Sequence, residues 1–245
     1  MTESIRENSY LERMIVRSIE QGITVDYAQR WRENDLDSTN YLRFMRGDCI
    51  NTQMKALLPS ETVLVHVFNR NSWRVYCVVD KENHVVYFIT TEQNFKTLPA
   101  KHGTWPHYLK SLHHELNGSY NARQEQICML EDLYSDDQYE KDFELIFSGI
   151  IDDPADWHLY LVTYEASHFE VSNVMLRFLS ENFGEIDSRC LTEYLRPDYS
   201  LLTAREEKPH SVREETQQPE DGHSLVAMKS DVDLKLKDLL REDQA

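Results

Sequence analysis

Glycine is the first shortage. The 245-residue chain holds 7 glycines, at positions 22, 47, 103, 118, 149, 184 and 222, and the closest two lie fifteen apart. That spacing excludes the GxGxxG dinucleotide loop, the Walker A loop and the GxSxG nucleophile elbow, each of which needs two glycines within a few residues. Long apolar runs are missing too. The longest candidates, such as residues 145–151, are core-sized, well short of the roughly 20 residues that span a bilayer. The opening MTESIRENSYLERMIV has no basic region leading into an apolar one. The four cysteines, Cys49, Cys77, Cys128 and Cys190, form no CxxC pair. Together these features read as reduced thiols in a soluble, cytoplasmic protein with no membrane partner.

Basic charge is also scarce. Lys and Arg number 26 against 43 Asp and Glu, a net charge of −17. The imbalance is local: residues 1–120 carry 14 basic and 14 acidic groups, residues 121–204 carry 5 and 18, and the remainder 7 and 11. A surface that grips nucleic acid all round is therefore excluded, although a local basic patch is not. The acidity concentrates in residues 131–144, 152–156 and 181–187. Such runs read first as a solvated face, and second as a surface for a basic partner.

What the chain does have is 40% hydrophobic residues, enough for a sizeable core. Ser9 and Glu12 form a capping-box pattern ahead of Leu11, Met14, Ile15 and Ile19 at helical spacing, with Gly22 as a stop. Residues 40–46 and 50–58 read as two short helices, the second ending at Pro59. The period then changes to two. Residues 62–69 (TVLVHVFN), 73–80 (WRVYCVVD) and 85–91 (VVYFITT) are β-branched and aromatic, with short polar turns between them. They predict an antiparallel meander, apolar on both faces and so covered on both.

Pro106 suits the first position of a helix carrying Leu109, Leu112 and Leu116, with Gly118 after it. Residues 121–133 include a short strand, and Asp136-Asp137 opens an acidic amphipathic helix that buries Tyr139, Phe143 and Ile146. Residues 157–164 and 169–178 read as a second pair of strands, the latter with a partly helical alternative, and residues 190–195 as a terminal helix. The fold class is α+β, in one globular domain over residues 1–204. Residues 205–229 are too polar to recover their ordering entropy and read as a disordered linker. Residues 230–245 read as a short amphipathic helical tail, which docks on the domain, joins a partner or stays loose.

Candidate chemistry is thin. His107, His113, His114 and Glu115 form the densest metal-like cluster, but one helix cannot converge them on a single ion, so no metal site and no cofactor are expected. Cys77 and His66 lie on neighbouring strands, where a cysteine in an apolar sheet reads as packing rather than as a nucleophile. Glu206-Glu207-Lys208 and Asp233-Leu234-Lys235 match the letters of a nuclease motif without its strand context. Arg30, Arg32, Arg43 and Arg46 alternate with Tyr27, Trp31, Tyr41 and Phe44, a pattern open to base stacking or to amphipathic packing.

Several short motifs make a series along the chain: Arg46-Gly47-Asp48-Cys49-Ile50-Asn51-Thr52, Asn71-Ser72-Trp73, Pro106-His107-Tyr108-Leu109, Leu116-Asn117 and the strand WHLYLVTY. Over residues 40–195 the chain resembles a family of uncharacterised phage- and Firmicutes-associated proteins, a domain of unknown function. The resemblance implies a bacterial or phage setting, in which regulators and inhibitors of host systems occur, and it implies no catalytic residue.

The resulting expectation is a non-catalytic acidic regulator that binds a basic protein partner through Glu131, Asp132, Asp136, Asp137, Asp152 and Asp153. One alternative is a metal-dependent nuclease or nucleotide-processing enzyme, with Asp48, Asn51, Arg70 and Arg74 as its polar positions. The other is a nucleic-acid-binding regulator using the N-terminal helices.

Overall fold

The three runs of β-branched and aromatic residues form strands β1 (Val63–Arg70), β2 (Trp73–Asp80) and β3 (Val85–Thr91), paired antiparallel in sequence order. A computed structural model describes residues 5–33, 41–70, 72–100, 106–120 and 134–196. These all fall within one compact unit, Met1–Pro197. The expected linker, the tail helix, the strand in 121–133 and both nuclease-like motifs lie outside the described residues.

A second meander follows: β4 (His158–Ser167), β5 (Glu170–Leu179) and β6 (Glu185–Cys190). The two halves join side by side through β3 and β4, which run parallel, to give one six-stranded sheet in sequence order. A parallel junction requires a crossover, and residues 92–157 supply it with helices α4 (Glu92–Thr97), α5 (Tyr108–Asn117) and α6 (Asp136–Phe147). The class is α+β, with helices on both faces. Residues 169–178 are strand rather than helix. β6 corrects the expectation of a terminal helix at Cys190: the strand runs to that residue, and only Thr192–Tyr194 turn helically, as one 3-10 turn.

One face is covered by α1 (Ser9–Gln21) and α3 (Leu42–Leu57). Leu11, Ile15, Val16 and Ile19 of α1 and Ile50 and Met54 of α3 pack on Val78, Tyr87, Tyr160, Leu176 and Phe178 of the sheet. The other face is covered by α5 and α6, whose Leu109, Leu112, Leu116, Phe143, Ile146 and Phe147 meet Phe68, Cys77, Val79, Phe88, Leu159 and Leu161. Strand residues of alternating parity feed the two cores, which is why both faces read as apolar.

Local details depart from the sequence reading in instructive ways. The N-cap of α1 is Asn8, whose side chain accepts from the Leu11 amide, one residue before Ser9. Gly22 does not stop α1. The chain continues through a π-helical stretch, Gly22–Tyr27, into α2 (Ala28–Arg32). A Cβ on Gly22 would stand 2.7 Å from the Ile50 amide nitrogen and 2.8 Å from its Cα. The glycine is there to let α3 approach. The two short helices expected over 40–58 are one: α3 runs through Gly47 and Asp48 without a break. Pro106 precedes α5 rather than starting it, and His107 caps the helix, its Nδ1 accepting from the Leu109 amide at 3.3 Å.

Candidate interaction surface

The strongly polar segment at 134–156 becomes α6 and the loop after it. Ser135 and Gln138 cap α6 reciprocally, and Asp136 and Asp137 in its first turn complement the helix dipole. Tyr139, Asp142, Phe143, Ile146 and Phe147 face inward. Asp136, Asp137, Glu140, Lys141, Glu144 and Leu145 face solvent. Leu145 stands out, with 80% of its surface exposed on an otherwise polar outer face. Asp152, Asp153 and Asp156 continue the exposed acidity, and Asp153 also accepts from the Ala155 amide at 3.0 Å to cap a 3-10 turn. Four of the six acidic positions singled out above therefore lie on and just beyond one helix. Glu131 and Asp132 lie outside the described residues.

Asp48, Asn51, Arg70 and Arg74 occupy different surroundings. Asp48 and Asn51 sit in the middle of α3, not at its start, with Asp48 exposed and Asn51 half-buried. Arg70 reaches to the opposite face of the sheet. Its guanidinium forms a bidentate pair with Asp142 of α6, one arm at 2.9 Å, and donates to the Pro106 carbonyl at 3.4 Å. Ser111 of α5 donates to the same carboxylate at 2.7 Å. This set locks β1, α5 and α6 together. Arg74 is exposed on β2, opposite Asn69.

The remaining polar candidates are engaged structurally. His66 and Cys77 are direct cross-strand partners, as their strands suggested. Cys77 is fully buried, and burial pushes its thiol well above the ordinary range, the reverse of a nucleophile. The His66 Nε2–H donates to the Ile146 carbonyl at 2.7 Å, and burial lowers its pKa. His113 is also fully buried, with its pKa pressed down to about 3 by desolvation. The neighbouring His114 lies between Glu181, at 2.9 Å, and Asp136, at 3.8 Å, and stacks on Tyr139. The hydrogen bond with Glu181 raises its pKa, against partial burial. Among the described residues, no group of three His, Cys, Asp or Glu side chains could hold a metal ion.

Tyr27 and Trp31 pack edge-on with each other and with Phe169, and Arg46 stacks over Tyr27. The alternation of arginines with aromatics is thus absorbed in good part by packing. Phe44 and Trp73 form an exposed pair with ring centroids 5.0 Å apart.

Sequence reasoning missed the most heavily used polar side chains. Asn117 is buried and bridges β4 and β5 beyond their last ladder pair, its Nδ2 donating to the carbonyls of Leu159 and Leu179 and its Oδ1 accepting from the Leu159 amide, all within 2.9 Å. Asp80 accepts from Asn8, Asn83 and the Glu82 amide, tying the α1 cap to the β2–β3 turn. Glu12 is buried against Arg189, and desolvation raises its pKa even with that partner present. In sequence, nothing marks these residues as buried. Asn117 stands out in sequence only within the motif series, and Glu12 only as a capping-box partner of Ser9, which is not the part either plays.

Among the described residues, no helix is long and apolar enough to cross a membrane. Comparison with curated proteins and with solved structures gives no match. A family model does match, over residues 2–241, beyond the 40–195 of the motif series at both ends. The chain belongs to that family, DUF5986, a family of unknown function.

Proposed function

We propose that this protein is a non-catalytic, cytoplasmic regulator or inhibitor in a bacterial or phage setting, and that it binds a basic protein partner through the acidic face of α6 and the loop beyond it. The observation that carries the reading is Leu145, an exposed leucine beside Lys141 and Glu144 on a helix that also exposes Asp137 and Glu140 and whose apolar face is already satisfied. The arrangement supplies an apolar anchor with a charged surround, the usual composition of a protein interface. The mechanism is charge complementarity: carboxylates steer a basic patch to the surface, and contact around Leu145 holds it. The absorption of Arg70, His66 and His113 into packing supports a role without chemistry.

The test is capture of the partner from host cells on the immobilised full chain. The partner should elute on raising the salt and should not be retained by a chain carrying D136N, D137N, D152N and D153N. L145S should weaken capture about tenfold while leaving the melting temperature unchanged, since truncating one exposed anchor costs on the order of 1–2 kcal/mol of binding. Retention unaffected by salt and by these variants would contradict the proposal.

A further inference from the structure

The two outer strands of the sheet are built differently. β6 carries Glu185, Asp187 and Arg189 within six residues, and its pairing with β5 slips between Phe178 and Leu179. Charges and a bulge are the means by which proteins keep a sheet edge from accepting another strand. β1 has neither. Its eight residues, VLVHVFNR, pair with β2 without a register shift and contain no proline. Its one formal charge, Arg70, is turned onto Asp142, and His66 is held by the Ile146 carbonyl. Among the described residues, no backbone group beyond the Ser60 amide bonds to β1 from outside the β2 ladder.

What lies beside this edge narrows what fits it. α6 runs along β1 in the opposite direction, because Arg70 meets Asp142 while His66 meets Ile146 and lies tilted against Phe147. The flank of α6 bearing Asp142 turns toward α5, through Ser111. At 100° per residue, Asp137, Glu140 and Glu144 fall on the opposite flank, away from α5. Among the described residues, the unpaired edge of β1 thus runs beside a helix that exposes three carboxylates on its flank away from α5. On the other side of the sheet the partly buried Val65 and Tyr76 leave apolar surface near the same edge.

The geometry points to strand addition: an extended basic segment of the partner protein pairs with β1 as a seventh strand, its alternate Lys or Arg side chains facing Asp137, Glu140 and Glu144. This rests on the acidic-face reading and adds the partner's conformation and pattern. Main-chain hydrogen bonds would give affinity, and the two-residue alternation would give specificity.

A labelled ten-residue peptide of five Lys-Val repeats tests it by fluorescence anisotropy on the full chain, alongside a peptide of the same composition with lysines and valines in separate blocks. The alternating peptide should bind at least tenfold tighter than the block peptide. N-methylating every second amide, which removes the donors of one edge, should cost at least tenfold, and E140Q with E144Q should cost about fivefold. In hydrogen exchange, alternate β1 amides should exchange fast in the free chain and slow down on binding. If the N-methylated peptide binds as well as the parent and binding remains salt-sensitive, the acidic face stands and strand addition is wrong. If a captured natural partner binds but the alternating peptide does not, strand addition again fails alone. If no basic ligand responds either to E140Q with E144Q or to the four-aspartate variant, both readings fall. Full protection of the β1 amides in the free chain would place a segment of this chain, or a second copy if sedimentation shows a dimer, on the edge and would overturn the proposal.

Discussion

Asn117 shows how much a single amide can hold. Its side chain takes the place of a ladder pair between Leu159 and Leu179, so removing it orphans one amide and two carbonyls in the core. Each buried unsatisfied group costs about 1–3 kcal/mol. N117A should therefore lower stability by about 3 kcal/mol or more in urea denaturation, with an unchanged m-value. N117D should fare no better, because a carboxylate would face two carbonyl oxygens. The adjacent histidines make a second prediction. The raised pKa of His114 means that its folded form binds a proton more tightly than its unfolded form. Its contribution is complete below the unfolded value, near pH 6.5, and is lost as pH rises through the folded value. H114Q should thus destabilise the protein at pH 5.5, by about 0.5 kcal/mol for a partly buried pair, and have less effect at pH 8.5. Glu181, Asp136 and Glu115 are the carboxylates that set this difference. His113 has the opposite sign. It stays neutral in the core, and its contribution is present above pH 6.5 and lost as pH falls toward its folded value of about 3. Imidazole NMR titration should show His113 uncharged at pH 4, while His114 titrates above its ordinary value.

The two helical glycines of the α1–α3 layer separate packing from propensity. Gly22 lies where α3 comes closest, and an added Cβ would meet the backbone of Ile50, which cannot step aside. G22A should destabilise by about 1–3 kcal/mol, the usual cost of overpacking. Gly47 sits within α3 with nothing near its missing Cβ. G47A should stabilise by about 0.5–1 kcal/mol. Thermal melts of both variants check the contrast. The same pair explains what the sequence did and did not disclose. Strands β1 to β3 were legible almost to the residue, because period-two runs of Val, Tyr and Phe between polar turns have one interpretation. The inward face of α6 was legible for the same reason, at period 3.6. Gly22 was misread because a glycine at the end of an apolar stripe signals a stop unless a neighbouring helix needs its space, and that neighbour is nearly thirty residues away in sequence. β6 was missed because EIDSRC, an edge strand with little to bury, lacks the apolar alternation that marks strands. Of the candidate site, the charge was visible and its arrangement was not. Composition located the carboxylates, whereas the exposure of Leu145 and the withdrawal of Arg70 onto Asp142 are tertiary facts.

At the scale of the whole molecule, a neutral first half and an acidic second half fold into one sheet, so charge asymmetry in sequence becomes asymmetry of surface. The helices of the first 60 residues cover one face, while the acidic α6 lies on the other. Long-range steering then depends on ionic strength, because exposed charges are screened beyond about 8–10 Å at physiological salt. Neutralising Asp136, Asp137, Asp152 and Asp153 should chiefly slow association with a basic partner, and substituting Leu145 should chiefly speed dissociation. The most direct test of the acidic-face account is the affinity of the full chain for its captured partner, measured from 50 to 300 mM salt on the native protein and on the four-aspartate variant. The account predicts binding that weakens steeply with salt in the native protein and is weaker, with a clearly shallower salt dependence, in the variant. Equal affinities and equal slopes would contradict it.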